Sequence, residues 1–554
     1  MKEETLVFAA LGGLGEIGMN MALYGFGTGK KRQWLMVDCG VSFAGPDLPG
    51  IDLVMPDIRF IEAEKKNLLG IVITHAHEDH FGALPDLWPR LGAPVYMTPF
   101  SANLLEARRY SEENRPHPPV RVIPQRGEFR LGPFHIETIP VAHSIPEAMA
   151  LAIRTPLGTV LHTGDWKIDE TPVLGEPTDE TRLRAIGDEG VLAMISDSTN
   201  VTRDGISPSE RDVEVSLRDL IAQSRGRVAV TTFASNVSRI RAVAEAAREA
   251  GREVIVVGRA MDRVADVAGE LDMLDGLPPF TPVDRYRSIR RDKCVLILTG
   301  SQGEPRAALA RIASGDHPDV DLSPGDRLIF SSRAIPGNEK AIGSIINNLV
   351  KQGVEVITDR DGLVHVSGHP RREEMRRMYE WIRPKIAIPA HGEALHLTMH
   401  RDFAKAQGVR DVIRAYNGDL VQLAPGRPAI LDEVPVGQLV KDGNLLISAL
   451  DDCIRERRKL GFAGTAIIAI GLDDRGNRLG SVDVATIGIP GEDDEGEPME
   501  AHLRDLVEET WRSIPKNTRR DPEAVRQAIE RGVRAGINDL WDKKPHTKVL
   551  IVEL

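Results

Sequence analysis

The sequence predicts an α/β protein in which a block of parallel βαβ units interrupts another α/β domain, and three observations carry that prediction. Short apolar, β-branched runs fill residues 1 to about 200 and end in turns that carry His or Asp. From 207 to 361 the rhythm changes to regular strand–helix alternation. After 361 the first style returns: strand, turn, histidine. A chain of 554 residues exceeds one ordinary core, so several domains are expected.

The first region supplies the strands QWLMVDCG, GIVITHAH, APVYMT, FHIETIPVAHS, GTVLHTGD and LAMISDST. Strands that end in polar turns suit a fold whose site sits on loops. In the second region VAVTTFASN precedes a predicted helix over 239–250, and EVIVVGRAM one over 264–274. CVLILTGSQGEP precedes one over 306–313, and RLIFSSRAIPGNE one over 341–351. Such repeats predict a parallel sheet with ligand-facing loops at the C-terminal ends of its strands. GLVHVSGHP and KIAIPAHGE then resume the first domain. APGRPAILDEVPVG (424–437), rich in Pro and Gly, reads as a linker. Beyond it TAIIAIGL and SVDVATIGI flank DDRGN as a hairpin, two amphipathic helices lie near 500–514 and 522–541, and KVLIVEL is a last strand. The expected division is 1–206 and 362–435 for the interrupted domain and 207–361 for the insertion, with a linker over 436–452 and a small α/β domain over 453–554.

Charged residues at 27% and apolar residues at 42% describe a globular rather than a disordered chain. No apolar run is long enough to span a membrane, and MKEETLVFAALGG lacks the pattern of a signal peptide. Cys39, Cys294 and Cys453 form no CxxC pair, which fits the cytoplasm and excludes a thiolate zinc cluster. The net charge of −12 argues against coating nucleic acid through bulk charge but not against a local basic groove.

THAHEDHFG packs His75, His77, Glu78, Asp79 and His80 together, more ligands than one ion can use. His75 and His77, two apart, can point to one side, while Asp79 and His80 begin the next element, so two ligand pairs are expected. The zincin pattern HExxH fails because Phe81 stands where its second histidine belongs. A catalytic zinc takes about three protein ligands, so more must come from elsewhere. His143, Asp165 and His391 are candidates, each following an apolar strand beside Gly or Ser.

HxHxDH followed by these three residues resembles the metallo-β-lactamase superfamily. The resemblance implies an αββα sandwich in which His75, His77 and His143 hold one zinc, Asp79, His80 and His391 a second, and Asp165 bridges them. Asp38 matches the family's first motif, an acid that orients ligands. The inserted block, Asp197 in MISDSTN and His369 in HVSGHP resemble the β-CASP branch of nucleic-acid hydrolases. LGGLGEIGMN, THAHEDHFGALP, TGSQGEP, IPGNE, HVSGHP and PAHGE together resemble the bacterial ribonuclease J family over essentially the whole chain. Ala76 stands where that family often has Gly, at a position that is not a ligand.

The resemblance implies two Zn²⁺ per subunit, with Mn²⁺ or Mg²⁺ able to replace them. Two such ions suit phosphodiester hydrolysis, which needs a nucleophile at neutral pH and neutralisation of the phosphate. His369 is the candidate proton donor to the leaving 3′ oxygen, and the resemblance implies that Asp197 and Asp38 are catalytic too. Phe233, Ser235 and Asn236 of FASN, and His365, Val366, Ser367, Gly368 and His369 of HVSGH, are implied to line a pocket for a 5′-monophosphate. The expected substrate is single-stranded RNA, cut exonucleolytically 5′-to-3′ and also internally. A homodimer or tetramer, and other RNA-degradation proteins as partners, are implied too. The alternatives are a DNA nuclease or another RNA-processing nuclease of the branch, a small-molecule hydrolase, and a non-catalytic scaffold.

Weaker signals remain. GLGEIG (13–18) reads as a tight strand connection rather than a dinucleotide site. Asp47, Asp52 and Asp57 form an acidic loop, a candidate for a further divalent cation but more simply solvated. His396 and His400 read as a solvated helix face, and His162 as core or ligand support. RREEMRR (371–377) and RERRK (455–459) are basic enough to touch RNA, though solvated faces explain them equally well.

Overall fold

The computed structural model describes residues 3–109, 117–335 and 337–553 of the chain; Pro336 of the IPGNE motif lies outside them. They form two compact units, residues 1–42 with 54–438 and residues 43–53 with 439–554. Residues 43–53, expected within the first domain, thus belong to the second unit.

Two sheets face each other in the first unit. One has eight strands, with Thr5–Gly12, Met21–Gly27, Gln33–Val37 and Leu68–Val72 at its centre. The other has seven, including Phe134–Pro140, Met149–Thr155, Gly158–His162, Ala193–Asp197 and Ile386–Ala390. Side chains alternate along each strand. Phe8, Leu35 and Val37 of one sheet therefore share a core with Ile136, Leu151 and Ile388 of the other. Each such side chain contributes about 1.5–3 kcal/mol on burial. The outer face of the seven-stranded sheet buries Met194, Leu161 and Ala387 under the helices Glu180–Glu189, Arg372–Ile382 and Ala394–Ala406, through Leu183, Met378, Trp381 and Ala404. Sandwiched sheets with helices outside are the αββα expectation.

The inserted block folds as an all-parallel, five-stranded sheet in the order Glu253–Val257, Cys294–Leu298, Val228–Thr231, Arg327–Phe330, Glu355–Ile357. Its helices Val237–Glu249, Arg259–Glu270, Ala308–Ser314 and Glu339–Lys351 start a few residues away from the predicted positions. A further helix, Glu210–Gln223, is not among those expected, and Ser209 and Asp212 form its reciprocal N-terminal cap.

The linker expectation fails. Ala429–Glu433 lies inside APGRPAILDEVPVG and pairs antiparallel with Asp419–Ala424, extending the eight-stranded sheet. Residues 436–452 contain a hairpin of Gln438–Asp442 and Leu445–Ser448, in which Asp442 faces Leu445 across Gly443 and Asn444. Gly443 takes φ +59°, the left-handed backbone that a two-residue hairpin turn requires. In the second unit Thr465–Leu472 pairs with Arg478–Ile487 as the predicted hairpin and with His546–Glu553 in parallel, and Met499–Ser513 and Pro522–Trp541 cover one face. No described helix is long and apolar enough to cross a membrane.

Candidate metal centre

Six polar residues of the first unit occupy strand ends. Asp38 follows Gln33–Val37, His75 lies just past Leu68–Val72, and His143 past Phe134–Pro140. Asp165 lies past Gly158–His162, Asp197 ends Ala193–Asp197, and His391 follows Ile386–Ala390. The short helix Glu78–Phe81 adds Asp79 and His80. That helix lies so close to the strand end that a Cβ on Gly40 would sit 1.7 Å from Asp79 O. Asp38 and His391 themselves adopt positive φ, 65° and 51°, in the left-handed region where a non-glycine residue costs about 1–3 kcal/mol. Both are non-glycine residues held there by their contacts within the centre.

The centre holds three quartets that share the Asp165 carboxylate, the third joining it to Asp197, His369 and His391. His75, His77, His143 and Asp165 bring ligand atoms within 4.8 Å of one another, and so do Asp79, His80, Asp165 and His391. His75 Nε2 and His143 Nε2 lie 3.1 and 3.0 Å from His77 Nδ1. Asp165 Oδ2 is 3.9 Å from His75 Nε2, 3.7 Å from His143 Nε2 and 3.2 Å from His80 Nε2. Asp165 Oδ1 reaches His391 Nδ1 at 2.6 Å, and His391 Nε2 is 3.4 Å from Asp79 Oδ2. Among the described residues every group able to hold an ion lies at this centre, and Asp57 of the acidic loop pairs with Arg59 at 2.7 Å.

The donor set fits divalent metal. Three imidazoles in mutual contact cannot all share protons, since each neutral ring has one donor and one acceptor. Burial, joined by neighbouring histidines, holds His75 well below its ordinary pKa; burial also holds His143 low and brings His77 down to about 4. Their lone pairs are therefore free for a cation. The second quartet is electrostatically different. Burial opposes charge on His391, yet Asp165 and Asp79 outweigh it and raise the ring to about 10. His80 is raised in the same way, against burial, by Asp165, Asp79 and Asp38. Protons occupy there the place that a bound cation would take.

Supporting contacts fix the ligands. Asp38, 1% exposed, accepts from Thr74 N at 2.8 Å and lies 2.7 Å from His80 Nδ1, which turns His80 Nε2 toward Asp165. His143 Nδ1 lies 2.7 Å from Gly368 O, and a Cβ on Gly368 would stand 2.6 Å from that nitrogen. The HVSGH turn therefore needs glycine at this point. GLGEIG behaves as a strand connection: His391 N donates to Gly13 O at 2.9 Å, and Leu14 pairs with Gly392. His369 Nδ1 lies 2.7 Å from Asp197 Oδ2 and 3.8 Å from Asp165 Oδ2. Burial lowers the affinity of His369 for its proton, but Asp197 and Asp165 raise it on balance.

HVSGH borders this centre through Gly368 and His369, and FASN follows the strand Val228–Thr231 of the inserted sheet. Asn236 caps the helix Val237–Glu249 by accepting from Arg239 N at 2.9 Å, and is itself buried. Ser367 Oγ accepts from Asn200 Nδ2 at 2.9 Å, and Asn200 also donates to His369 O at 3.0 Å. Phe233, Ser235 and His365 are half-buried, whereas Val366 is buried and turns its side chain away from solvent.

Several contacts have no signal in the sequence. Asn20 of LGGLGEIGMN places Nδ2 3.0 Å from His80 Nε2 and 3.3 Å from Asp79 Oδ2. His400 is no solvated face: it is fully buried, with Nδ1 2.8 Å from Ser198 Oγ and Nε2 2.8 Å from Tyr379 OH, bracing the turn that carries Asp197. His162 Nδ1 meets Tyr24 OH at 2.8 Å. The basic run 371–377 is largely committed: Arg377 pairs with Glu180 and Arg376 with Glu373, while buried Glu374 accepts from Ile168 N and Ser207 N at 2.9 Å each. Glu78, which the sequence left without a role, pairs with Arg108.

Comparison with known proteins places these features in context. Residues 225–349 match the family of ribonuclease J beta-CASP domains and residues 452–554 that of ribonuclease J C-terminal domains. Residues 23–258 match the metallo-beta-lactamase superfamily, and 353–414 the Zn-dependent metallo-hydrolase RNA specificity domain. Ribonuclease J of Sinorhizobium meliloti is 54% identical over 553 residues, covering 100% of this chain and 98% of its own length. Ribonuclease J of Mycolicibacterium smegmatis is 37% identical over 556 residues, covering 98% and 97%. A crystal structure of a protein of unknown function from Enterococcus faecalis superposes on 76% of this chain and 100% of its own, with TM-score 0.53 and 16% identity, a likeness of fold alone.

Proposed function

The chain belongs to the ribonuclease J family, and on that footing we propose that it degrades single-stranded RNA in the 5′-to-3′ direction from monophosphorylated ends and also cuts internally, in RNA processing and decay. It is a metal-dependent RNA-hydrolysing enzyme. His75, His77 and His143 would hold one ion, Asp79, His80 and His391 the other, and Asp165 both. Zinc is the metal we assign, since imidazole and carboxylate ligands suit it, with manganese or magnesium as replacements. Bound ions of this kind supply a nucleophile at neutral pH and positive charge for the phosphate.

The chain's own residues do the rest. Asp38 keeps His80 aimed at the centre through its 2.7 Å contact with Nδ1. Asp197 occupies His369 Nδ1, so Nε2 is the atom that carries a proton to the leaving 3′ oxygen. Ser235 and the backbone of residues 365–368 provide donors for a terminal phosphate, and Phe233 a ring for its base. The observation that carries the reading is the His369–Asp197 pair beside the shared Asp165, 3.8 Å away. A small-molecule hydrolase on the same metal core needs neither that donor nor the inserted sheet.

One labelled oligonucleotide, prepared as 5′-monophosphate RNA, 5′-triphosphate RNA and DNA, tests the proposal. Monophosphorylated RNA should be degraded at least about tenfold faster than the other two, the discrimination one charged hydrogen-bonding site provides. Equal rates on all three would remove both the end pocket and the RNA preference. For assembly we favour a homodimer, and a tetramer built from it, joined through the second unit. Ile487, Leu550 and Val552 of its sheet are 64%, 47% and 49% exposed, apolar area that association would cover. Light scattering should give at least twice the 60.8 kDa chain mass, and a monomer mass would end that reading. The three cysteines are free, which supports the cytoplasm as its compartment.

A further inference from the structure

The loop over 331–335 follows the strand Arg327–Phe330, at the end of a parallel sheet where ligands bind. Ser331 Oγ donates to Val364 O at 2.7 Å, which sets this loop against the HVSGH segment. The other side of the loop is fixed by buried Gln302 of TGSQGEP. Its Nε2 donates to Arg333 O at 2.9 Å, and its Oε1 accepts from Ile335 N at 2.8 Å.

Two arginines meet HVSGH here in opposite states. Arg239 is fully buried and commits its donors inward, to Glu210 Oε2 at 2.9 Å, Ser331 O at 3.1 Å, Val364 O at 3.0 Å and Ser331 Oγ. It ties the FASN helix, the loop and HVSGH into one frame and has nothing left for a ligand. Arg333 is exposed on a fixed backbone, and its guanidinium makes no hydrogen bond or ion pair among the described residues. Near the opposite end of the same sheet, Arg327 and Arg291 are paired with Glu355 at 2.8 Å and Asp326 at 2.9 Å. Of Arg291, Arg327 and Arg333, only Arg333 lies at the ligand end, and its guanidinium is unpaired among the described residues. It also stands close to His365, whose proton affinity burial, Arg239 and Arg333 together bring down to about 3. That imidazole is therefore neutral at pH 7, and Arg333 provides the cationic donor at this rim.

We infer that Arg333 is a specificity-determining residue that donates to the phosphate oxygens of the RNA 5′ end, while FASN and HVSGH hold the nucleotide. A planar guanidinium can contact two phosphate oxygens at once and is weakly hydrated, so it reads a phosphate better than a lysine would. The inference rests on the end-pocket reading proposed above.

The test compares kcat/KM for 5′-monophosphate and 5′-hydroxyl forms of one RNA, using the full-length, metal-loaded protein. The wild type should prefer the monophosphate. Arg333→Gln should reduce that ratio about tenfold, as loss of one charge-assisted contact does, and Arg333→Lys should reduce it less. An unchanged ratio in Arg333→Gln overturns the assignment while leaving the pocket standing. A wild type with no preference overturns the pocket itself and this assignment with it. Arg333 supports no packed side chain, so unchanged melting temperatures should accompany the altered ratio; a ratio that falls only in step with melting would overturn the role.

Discussion

Asp165→Asn is expected to strip both ions from the protein and to lower RNA cleavage on the order of 10³-fold, the scale of losing a principal electrostatic element of a site. Asp165 belongs to every group of residues able to hold an ion, and it is 3% exposed. Its two oxygens serve different neighbours: Oδ1 meets His391 at 2.6 Å, and Oδ2 faces His80, His143 and His75 within 3.9 Å. Asparagine keeps the shape but replaces one oxygen with a donor and removes the charge. His391 and His80 then lose the carboxylate that most favours their cationic state. Elemental analysis after dialysis should find two ions per wild-type chain and fewer than one per variant chain. His77→Ala provides the contrast, because His77 belongs to one quartet only and should leave the second position partly filled. A variant that keeps two ions and cleaves within tenfold of wild type would dismiss Asp165 as the shared ligand.

The fold and the candidate site residues are legible for the same local reason. His75, His143, Asp165 and His391 each lie within three residues of the end of an apolar strand, so the apolar run locates the turn that carries them. What escaped has no local signature. Ser198 and His400 are 202 residues apart and are joined by a buried hydrogen bond, and Asn20 reaches His80 across 60 residues. His400 has the same i, i+4 relation to His396 that two solvated helix histidines would have, and only tertiary burial separates the readings. The supposed linker went wrong through composition. Pro and Gly in 424–437 mark turns between paired strands as readily as a flexible tether, and Gly443–Asn444 is a hairpin turn of the same kind.

His369→Ala is expected to lower kcat on ordinary RNA by about 10²–10⁴-fold, the range of a positioned general acid, with a much smaller change in KM. The ring is side-chain 21% exposed, so one edge can meet substrate while Nδ1 remains against Asp197 at 2.7 Å. That contact fixes the orientation of the ring and leaves Nε2 as its outward nitrogen. The Asp197 and Asp165 carboxylates also favour the protonated ring against its burial, as an acid requires. A loss of activity alone would not separate proton donation from binding, but the leaving group does. An RNA whose scissile 3′ oxygen is replaced by sulfur departs as a thiolate, which needs no proton. His369→Ala should therefore cleave the sulfur linkage within about tenfold of the wild-type rate, a small remnant of its loss on oxygen. Asp197→Asn should show the same selective recovery, because an amide in place of the carboxylate both turns the ring and withdraws its charge partner. Equal losses on the oxygen and sulfur linkages would show that His369 binds or aligns RNA, and the proton would then have to reach the 3′ oxygen from another donor.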